Sequence, residues 1–369
     1  MNATERLQAL GQSLWLDNIS RGLLESGTLQ RYVREFSVTG LTSNPTIFDH
    51  AIRNTNFYDE AIQAKTAEGK SGEALFLELA LDDLTRAADL FLPIHEATAG
   101  VDGWVSLEVS PLLANDAAGT VREAAQLHAR ARRANLFIKI PGTPAGVIAI
   151  EESIFAGVPI NVTLLFSSEQ YLAAAAAYLR GIERRITAGL DPKVGSVASI
   201  FISRWDVAVK DKIPGALANR LGIAIARRAY RAYRELLNSP RWRKLANGGA
   251  LPQRLLWAST GTKDPAAPDT LYLEALAAPD TISTIPEATL LAFADHGAVT
   301  GTMAADGGDA QDVLAAFAQA GVDAAALASR LQREGAESFA KSWADLMAVL
   351  ASKGAALAHS ESGGVGDHV

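Results

Sequence analysis

A lysine stands inside an apolar run, in the stretch NLFIKIPGTPAGV at 135–147. Residues 136–140 predict a buried strand, and the Pro-Gly pair that follows ends it. A buried ammonium group is strongly destabilising unless it is paired or neutralised. Lys139 is therefore either one half of a structural ion pair or a group that is kept there for its chemistry.

Two carboxylates also stand at the C-terminal ends of predicted strands. Asp17 ends the run SLWLD at 13–17, and Glu108 lies in WVSLEVS at 104–110. A structural ion pair between Lys139 and Glu108 is the strongest non-catalytic interpretation. That pair would not account as well for Asp17, or for the amides Asn44 and Asn161 at two further strand ends. Their convergence favours an active site.

A buried lysine with two carboxylates can carry out a metal-free aldol reaction. Desolvation and nearby cations lower the pKa of a lysine, and the neutral amine can attack a carbonyl. The Schiff base that results is an electron sink, which permits cleavage of a neighbouring carbon–carbon bond. One carboxylate moves protons while the Schiff base forms, and a second removes the proton of the hydroxyl at the departing carbon. The six histidines have no metal-site spacing, which argues against a zinc-dependent aldolase.

Side chains alternate between the two faces of a strand, so residues at alternate positions near the strand ends are predicted to share one pocket with Lys139. A lone Asn, Asp, Ser or Thr at such a place more often caps a turn or a helix. Their number across separate strands favours the pocket. The predicted members are Trp15, Asp17, Thr42, Asn44, Ser106, Glu108, Ser110, Asn161, Thr163, Ser199, Ser203, Trp257 and Ser259.

The segments ISRWD at 202–206 and ASTGTKDP at 258–265 add cations and hydroxyls. Ser203, Arg204, Ser259 and Lys263 are predicted to hold an anion, most simply a substrate phosphate. A solvated loop position is the alternative for Lys263. The STGTK stretch lacks the spacing of a P-loop.

Eight strand patterns alternate with helical patterns and predict a (β/α)8 TIM barrel. The alternative is a doubly wound open sheet, although no GxGxxG follows the first strand. Two extra helices are expected within 49–100, between strands two and three, and more over 287–358. The predicted strands are 13–17, 38–44, 104–110, 136–140, 160–166, 197–203, 254–260 and 281–285, and the clearest helices are 122–133, 168–186, 220–237 and 324–350.

The chain has 369 residues, of which 49% are hydrophobic and 20% are charged, so it can build a large core. We expect a single domain over 1–358 and a disordered tail over 359–369. A net charge of -7 gives no basic footprint for nucleic acid. No signal peptide or membrane span is apparent, and the absence of cysteine fits a cytoplasmic protein.

These motifs resemble transaldolase, of the class I aldolase superfamily, in its larger bacterial type. The resemblance implies that Lys139 is the Schiff-base nucleophile, that Glu108 acts through a water supported by Thr163, and that Asp17 is the general acid and base. It further implies a dihydroxyacetone site and a phosphate site. The dihydroxyacetone site would comprise Asn44, Asn161 and Ser203, and the phosphate site Arg204, Ser259 and Lys263. The segments that match are LWLD, GLTSNPTIF, SLEVSP, IKIPGT, NVTLLFS, ISRWD and WASTGTKDP.

The function implied by the resemblance is transfer of a dihydroxyacetone unit between sugar phosphates in the pentose phosphate pathway. The donor would be sedoheptulose 7-phosphate or fructose 6-phosphate, and the acceptor glyceraldehyde 3-phosphate or erythrose 4-phosphate. No cofactor or metal is implied, and the protein would be a monomer or a homodimer. One alternative is fructose-6-phosphate aldolase, which carries glutamine where this chain has Glu108. The other is a non-catalytic barrel that binds sugar phosphates as a sensor or scaffold.

Overall fold

Eight parallel strands close into a barrel in the computed structural model, which describes residues 2–362. Each strand pairs with the next along the chain, and β8 pairs with β1. The TIM barrel is therefore confirmed and the open sheet is excluded. The strands are β1 (Ser13–Leu16), β2 (Val38–Thr42), β3 (Val105–Glu108), β4 (Leu136–Pro141), β5 (Ile160–Leu165), β6 (Ser196–Phe201), β7 (Gln253–Ala258) and β8 (Thr281–Ile285).

Helices follow each strand, and extra helices are inserted after β2 and β8. None of the described helices combines the length and apolarity that a bilayer crossing needs. In chain order the helices are α1 (Ala3–Ala9), α2 (Arg21–Glu25), α3 (Thr28–Glu35), α4 (Pro45–Arg53), α5 (Asp59–Ala67), α6 (Gly72–Ala97), α7 (Ala117–Ala131), α8 (Pro144–Phe155), α9 (Ser168–Thr187), α10 (Ser203–Val209), α11 (Leu221–Leu237), α12 (Pro240–Asn247), α13 (Leu271–Ala275), α14 (Glu287–His296), α15 (Ala310–Gln319) and α16 (Ala324–Ser362).

The insertion between β2 and β3 holds α4, α5 and α6, whereas only two helices were expected over 49–100. The additional helix, α4, starts at Pro45, three residues after the last residue of β2. The Asn44 side chain caps its first turn, and Pro45 occupies the first helical position, where its missing N–H is harmless. This Asn-Pro pair therefore begins a helix, whereas β2 already ends at Thr42, so the predicted strand at 38–44 is two residues too long.

The predicted helical segment at 287–358 is three helices, and residues 297–309 between the first two are not helical. The last helix, α16, has 39 residues and continues to Ser362. Residues 363–369 of the predicted tail lie outside the described residues. The domain boundary at 358 stays a prediction.

Because side chains alternate between the two faces of each strand, the apolar core divides into two clusters. The larger cluster packs strand residues such as Leu14, Ile138 and Leu255 beneath the surrounding helices. The other includes the interior strand residues Trp15 and Phe137 and extends to residues of α10, α11, α15 and α16. Gly40 makes room for this interior, because a Cβ at that position would lie 2.8 Å from the Trp15 ring and 2.6 Å from a backbone oxygen.

Trp257 was wrongly predicted to face the pocket. Trp257 belongs to the outer cluster, while its neighbours Leu256 and Ala258 belong to the interior one. Ser259 nevertheless lies at the barrel mouth, because its positive φ of 55° breaks the alternation just after β7 ends. Ser259 thus reaches the barrel mouth although the face assigned to its strand was wrong, and its part in binding stays a prediction.

Candidate active site

Lys139 lies on β4, and its neighbours in register are Glu108 on β3 and Asn161 on β5. The Lys139 ammonium nitrogen is 3.4 Å from Glu108 Oε2 and donates a hydrogen bond of 3.1 Å to the backbone oxygen of Ser43. Lys139 and Glu108 are only 5% and 6% exposed. The predicted Lys–Glu contact therefore exists, in a geometry that suits both a structural ion pair and a nucleophile beside its proton carrier.

Glu108 keeps its proton to a higher pH than an ordinary glutamate. Burial raises the pKa of this carboxyl, and the charge of Lys139 opposes that shift. Apart from its contact with Lys139, Glu108 Oε2 has no hydrogen-bond partner among the described residues. The hydroxyl of Thr163, completely buried at the end of β5, likewise has none there. Both groups therefore keep hydrogen-bonding capacity for a substrate or a water.

Asp17 follows β1 directly and is fixed on two sides. Its N–H donates to the backbone oxygen of Ile285, at 2.8 Å, and its carboxylate accepts from the Thr42 hydroxyl, at 2.7 Å. Asp17 is half-buried at the barrel mouth, and the desolvation of its carboxyl there raises its pKa against the attraction of Lys139. A carboxylate with a raised pKa is a better general base than an ordinary aspartate.

The two amides predicted to hold substrate are partly engaged with the protein. Asn161 donates to the hydroxyl of Ser106, at 3.1 Å, and accepts from that of Ser199, at 2.7 Å. Asn44 accepts from the backbone N–H of Ile47, at 3.1 Å, as the cap of α4. An amide carries two N–H donors, so neither of these contacts uses the full capacity of its group.

The predicted anion-binding residues line one cavity of about 960 Å³. Ser203 and Ser259 bring their hydroxyl oxygens within 2.9 Å of each other at its wall. Ser203 is the first residue of α10 and does not belong to β6, which ends at Phe201, so the predicted strand at 197–203 is two residues too long. The cavity is also lined by Arg204 and by the exposed Lys263.

Asp206 fixes the helix that carries Ser203 and Arg204. Its carboxylate accepts from the backbone N–H groups of Leu221 and Gly222, at 2.9 and 3.2 Å, and from the Tyr272 hydroxyl, at 2.8 Å. A Cβ on Gly222 would lie 2.8 Å from this carboxylate, so only glycine fits. The start of α11 thereby holds α10 in place.

Sequence reasoning missed the contribution of α16. Arg330 lines the same cavity as Arg204 and Lys263. The ring centre of Phe339 lies 5.8 Å from Lys139 Nζ and 5.8 Å from Arg204 Cζ. Both residues stand in an ordinary amphipathic pattern, which shows that a helix is present and not where it packs. No local signal in the sequence marks them.

No group of three or more His, Cys, Asp or Glu residues within the described part of the chain is arranged to hold a metal ion.

Known proteins match this chain over nearly its whole length. A family model described as transaldolase/fructose-6-phosphate aldolase matches residues 14–350. The transaldolase of Arthrobacter sp. (strain FB24) is 43% identical over 353 residues, which cover 93% of this chain and 95% of that protein. The transaldolase of Neisseria gonorrhoeae (strain ATCC 700825 / FA 1090) is 42% identical over 351 residues, which cover 95% of this chain and 100% of that protein. The transaldolase of Parafrankia sp. (strain EAN1pec) is 45% identical over 351 residues, which cover 92% of this chain and 95% of that protein.

Proposed function

The chain belongs to the transaldolase/fructose-6-phosphate aldolase family and is a transferase of the transaldolase kind, and we propose that it transfers dihydroxyacetone through a Schiff base on Lys139. The donor is fructose 6-phosphate or sedoheptulose 7-phosphate, and the acceptor is erythrose 4-phosphate or glyceraldehyde 3-phosphate. The observation that carries the proposal is the buried contact between Lys139 and Glu108, 3.4 Å apart at the C-terminal mouth of the barrel.

In the first half of the proposed reaction the Lys139 amine attacks the ketone carbon. Glu108 then protonates the carbinolamine hydroxyl, which leaves as water and gives the iminium ion. The raised pKa of Glu108 favours this acid role, because the carboxyl keeps its proton to higher pH than an ordinary glutamate. Thr163 supports the water through which Glu108 acts.

In the second half Asp17 removes the proton of the hydroxyl on the carbon beyond the bond to be cleaved. The carbon–carbon bond breaks and the aldose phosphate leaves. The electron pair of the broken bond remains in an enamine on Lys139. Attack of the enamine on the acceptor aldehyde reverses these steps, and Asp17 returns the proton. Asn44, Asn161 and Ser203 are proposed to bind the dihydroxyacetone hydroxyls through their remaining hydrogen-bonding capacity.

The phosphate is proposed to bind at Arg204, Ser259 and Lys263, in the cavity that they share. Arg204 contacts two aromatic rings, those of Phe201 at 5.1 Å and Phe339 at 5.8 Å. These contacts orient the guanidinium without neutralising it, which leaves its charge for an anion. We also propose a cytoplasmic location and a monomeric or homodimeric state.

The proposed function is tested with fructose 6-phosphate and erythrose 4-phosphate as substrates. A transaldolase forms sedoheptulose 7-phosphate and glyceraldehyde 3-phosphate only when both substrates are present. Free dihydroxyacetone formed at the same rate with or without erythrose 4-phosphate would instead identify an aldolase. Binding of either sugar phosphate without turnover would identify a sensor or scaffold.

Replacing Arg204 with methionine is expected to raise KM for fructose 6-phosphate about ten- to a hundredfold. A hydrogen bond to a charged group contributes ~1.5–3 kcal/mol, and the methionine keeps the apolar stem against the two rings. Steady-state kinetics measures the effect. The matched control is Arg333→Met, at an exposed position on α16, which should leave KM unchanged. An unchanged KM in Arg204→Met would remove this residue from the phosphate site.

The substitution Glu108→Gln is expected to lower kcat about a hundredfold, within the ~10²–10⁴-fold range of general acid–base catalysis. Glutamine keeps the size of the side chain but cannot transfer a proton to the carbinolamine. Rapid-mixing measurements should show slower formation of the Schiff base while the fold is retained. A wild-type rate of Schiff-base formation would contradict the role given to Glu108.

A further inference from the structure

Helix α16 is attached across the barrel mouth, above the ends of β4 and β5. The amide of Gln332 donates to the backbone oxygens of Gly142 and Leu164, at 2.9 and 3.0 Å. Gly335 lets the helix approach closely, because a Cβ there would lie 2.9 Å from the Leu164 side chain and 3.3 Å from the Arg204 guanidinium. These contacts fix the position of α16 relative to Lys139.

Phe339 follows Gly335 by one helical turn and lies over the catalytic lysine. Its side chain is buried, with 5% of its surface exposed, and its ring centre is 5.8 Å from Lys139 Nζ. The large cavity next to it is lined by Arg204 and Arg330 and not by Lys139, Glu108 or Asp17. An apolar side chain thus forms part of the cover of the nitrogen on which the proposed Schiff base forms.

We propose that Phe339 excludes bulk water, as distinct from the one water held by Glu108 and Thr163, from the dihydroxyacetone Schiff base on Lys139, and so directs that intermediate to transfer instead of release. This inference rests on the proposed function and deepens it. Phe339 is a specificity-determining residue in this account, because it controls whether an aldehyde or a water reacts first with the three-carbon intermediate.

The enamine left on Lys139 has two fates. In transfer its carbon attacks the acceptor aldehyde, a carbon–carbon bond forms, and the aldehyde oxygen receives a proton from Asp17. In release the same carbon is protonated, and water then adds to the iminium carbon. The carbinolamine loses its carbon–nitrogen bond and gives dihydroxyacetone and the Lys139 amine. Transfer also ends with hydrolysis of an iminium ion, but only after the new carbon–carbon bond has formed, whereas release needs a proton and a water at the three-carbon intermediate itself. Removing the apolar cover therefore accelerates release from that intermediate selectively.

The ring also suits the charge of the intermediate. The iminium ion formed on Lys139 is a cation, and an aromatic face within about 6 Å attracts a cation. An aliphatic cover would exclude water without this attraction. Phenylalanine offers no hydroxyl or N–H that could position a water for attack.

The experiment compares Phe339→Ala with the wild-type enzyme, using fructose 6-phosphate and erythrose 4-phosphate. The measured quantity is the ratio of free dihydroxyacetone released to sedoheptulose 7-phosphate formed. We expect this ratio to rise about tenfold or more, since tenfold corresponds to a change of ~1.4 kcal/mol in the difference between two barriers. Borohydride should still attach the dihydroxyacetone unit to Lys139 in the variant.

The matched control is Trp343→Ala, one turn further along α16. Trp343 is 4% exposed and packs edge-on against Phe76, with ring centres 5.1 Å apart, so its loss also removes buried aromatic packing from the same helix. We expect a lower melting temperature and an unchanged release-to-transfer ratio. An equal rise of the ratio in this control would show that loosening of α16, and not the cover at Phe339, governs the partition, and would overturn the proposal.

A more conservative variant, Phe339→Val, keeps the site apolar and tests the proposal even if Phe339→Ala does not fold. It should raise the ratio as well, because the smaller side chain leaves space beside Lys139. A wild-type ratio in a folded Phe339 variant would overturn the proposal. Failure of the wild-type protein to form any sedoheptulose 7-phosphate would instead contradict the proposed function itself.

Discussion

Replacing Lys139 with methionine is expected to reduce turnover to the background of the assay while the protein stays folded. Methionine is unbranched and fills a similar apolar space, but it has no amine to form a Schiff base. The remaining groups of the site cannot provide a substitute nucleophile in the same place. Steady-state assays with fructose 6-phosphate and erythrose 4-phosphate measure the loss, and circular dichroism with thermal melting measures the fold.

The stability of Lys139→Met distinguishes a catalytic role of Lys139 from a purely structural role in an ion pair. Glu108 loses the cation 3.4 Å away, but its pKa is already raised by burial, so it can take up a proton and need not remain an unpaired charge. The double variant Lys139→Met/Glu108→Gln removes this carboxyl as well and should be folded and inactive. Unfolding of Lys139→Met together with full activity of a refolded double variant would support the purely structural interpretation.

Asp17→Asn is expected to lower kcat about a thousandfold, within the ~10²–10⁴-fold range for a general base. Asparagine keeps the size of the side chain and can still contact the Thr42 hydroxyl, but it cannot accept the proton whose removal permits carbon–carbon cleavage. Schiff-base formation precedes that step, so borohydride should still label Lys139 in this variant with the intact hexose phosphate. Loss of labelling would assign Asp17 to an earlier step.

The pH dependence of kcat is a second test of the role of Asp17 as general base. A general base must be ionised, so kcat should fall as the pH decreases through the pKa of this carboxyl. Because burial raises that pKa above its ordinary value of 3.8, the acid limb should lie above pH 3.8 in the wild-type enzyme. The Asp17→Asn variant should lack this limb. An identical acid limb in both proteins would assign it to another group.

The alternation rule was sufficient to predict the centre of the site. Lys139 and Glu108 stand at equivalent depths in adjacent runs, and in a parallel barrel such residues become neighbours in register. The same rule failed at Trp257, because Ser259 adopts a left-handed conformation just after the strand. A backbone conformation of this kind in a residue other than glycine has no sequence signal that alternation could detect.

The position of Phe339 over Lys139 could not be predicted from the sequence for a different reason. The amphipathic pattern of 324–350 correctly predicted a helix, but the direction in which a C-terminal helix crosses a barrel depends on contacts distant in sequence. Here those contacts are made by Gln332 and Gly335, which join α16 to the ends of β4 and β5. Neither residue type is unusual on a helix, and so the position of Phe339 over Lys139 emerges only in three dimensions.

The central claim, a Schiff base on Lys139, is tested most directly by borohydride trapping. The protein is incubated with fructose 6-phosphate, reduced with borohydride, digested and analysed by peptide mass spectrometry, with Lys139→Met as the control. We predict that the peptide carrying Lys139 gains the mass of the reduced dihydroxyacetone unit and that the control gains none. An unmodified Lys139 peptide, or the same label on another lysine in both proteins, would contradict the mechanism.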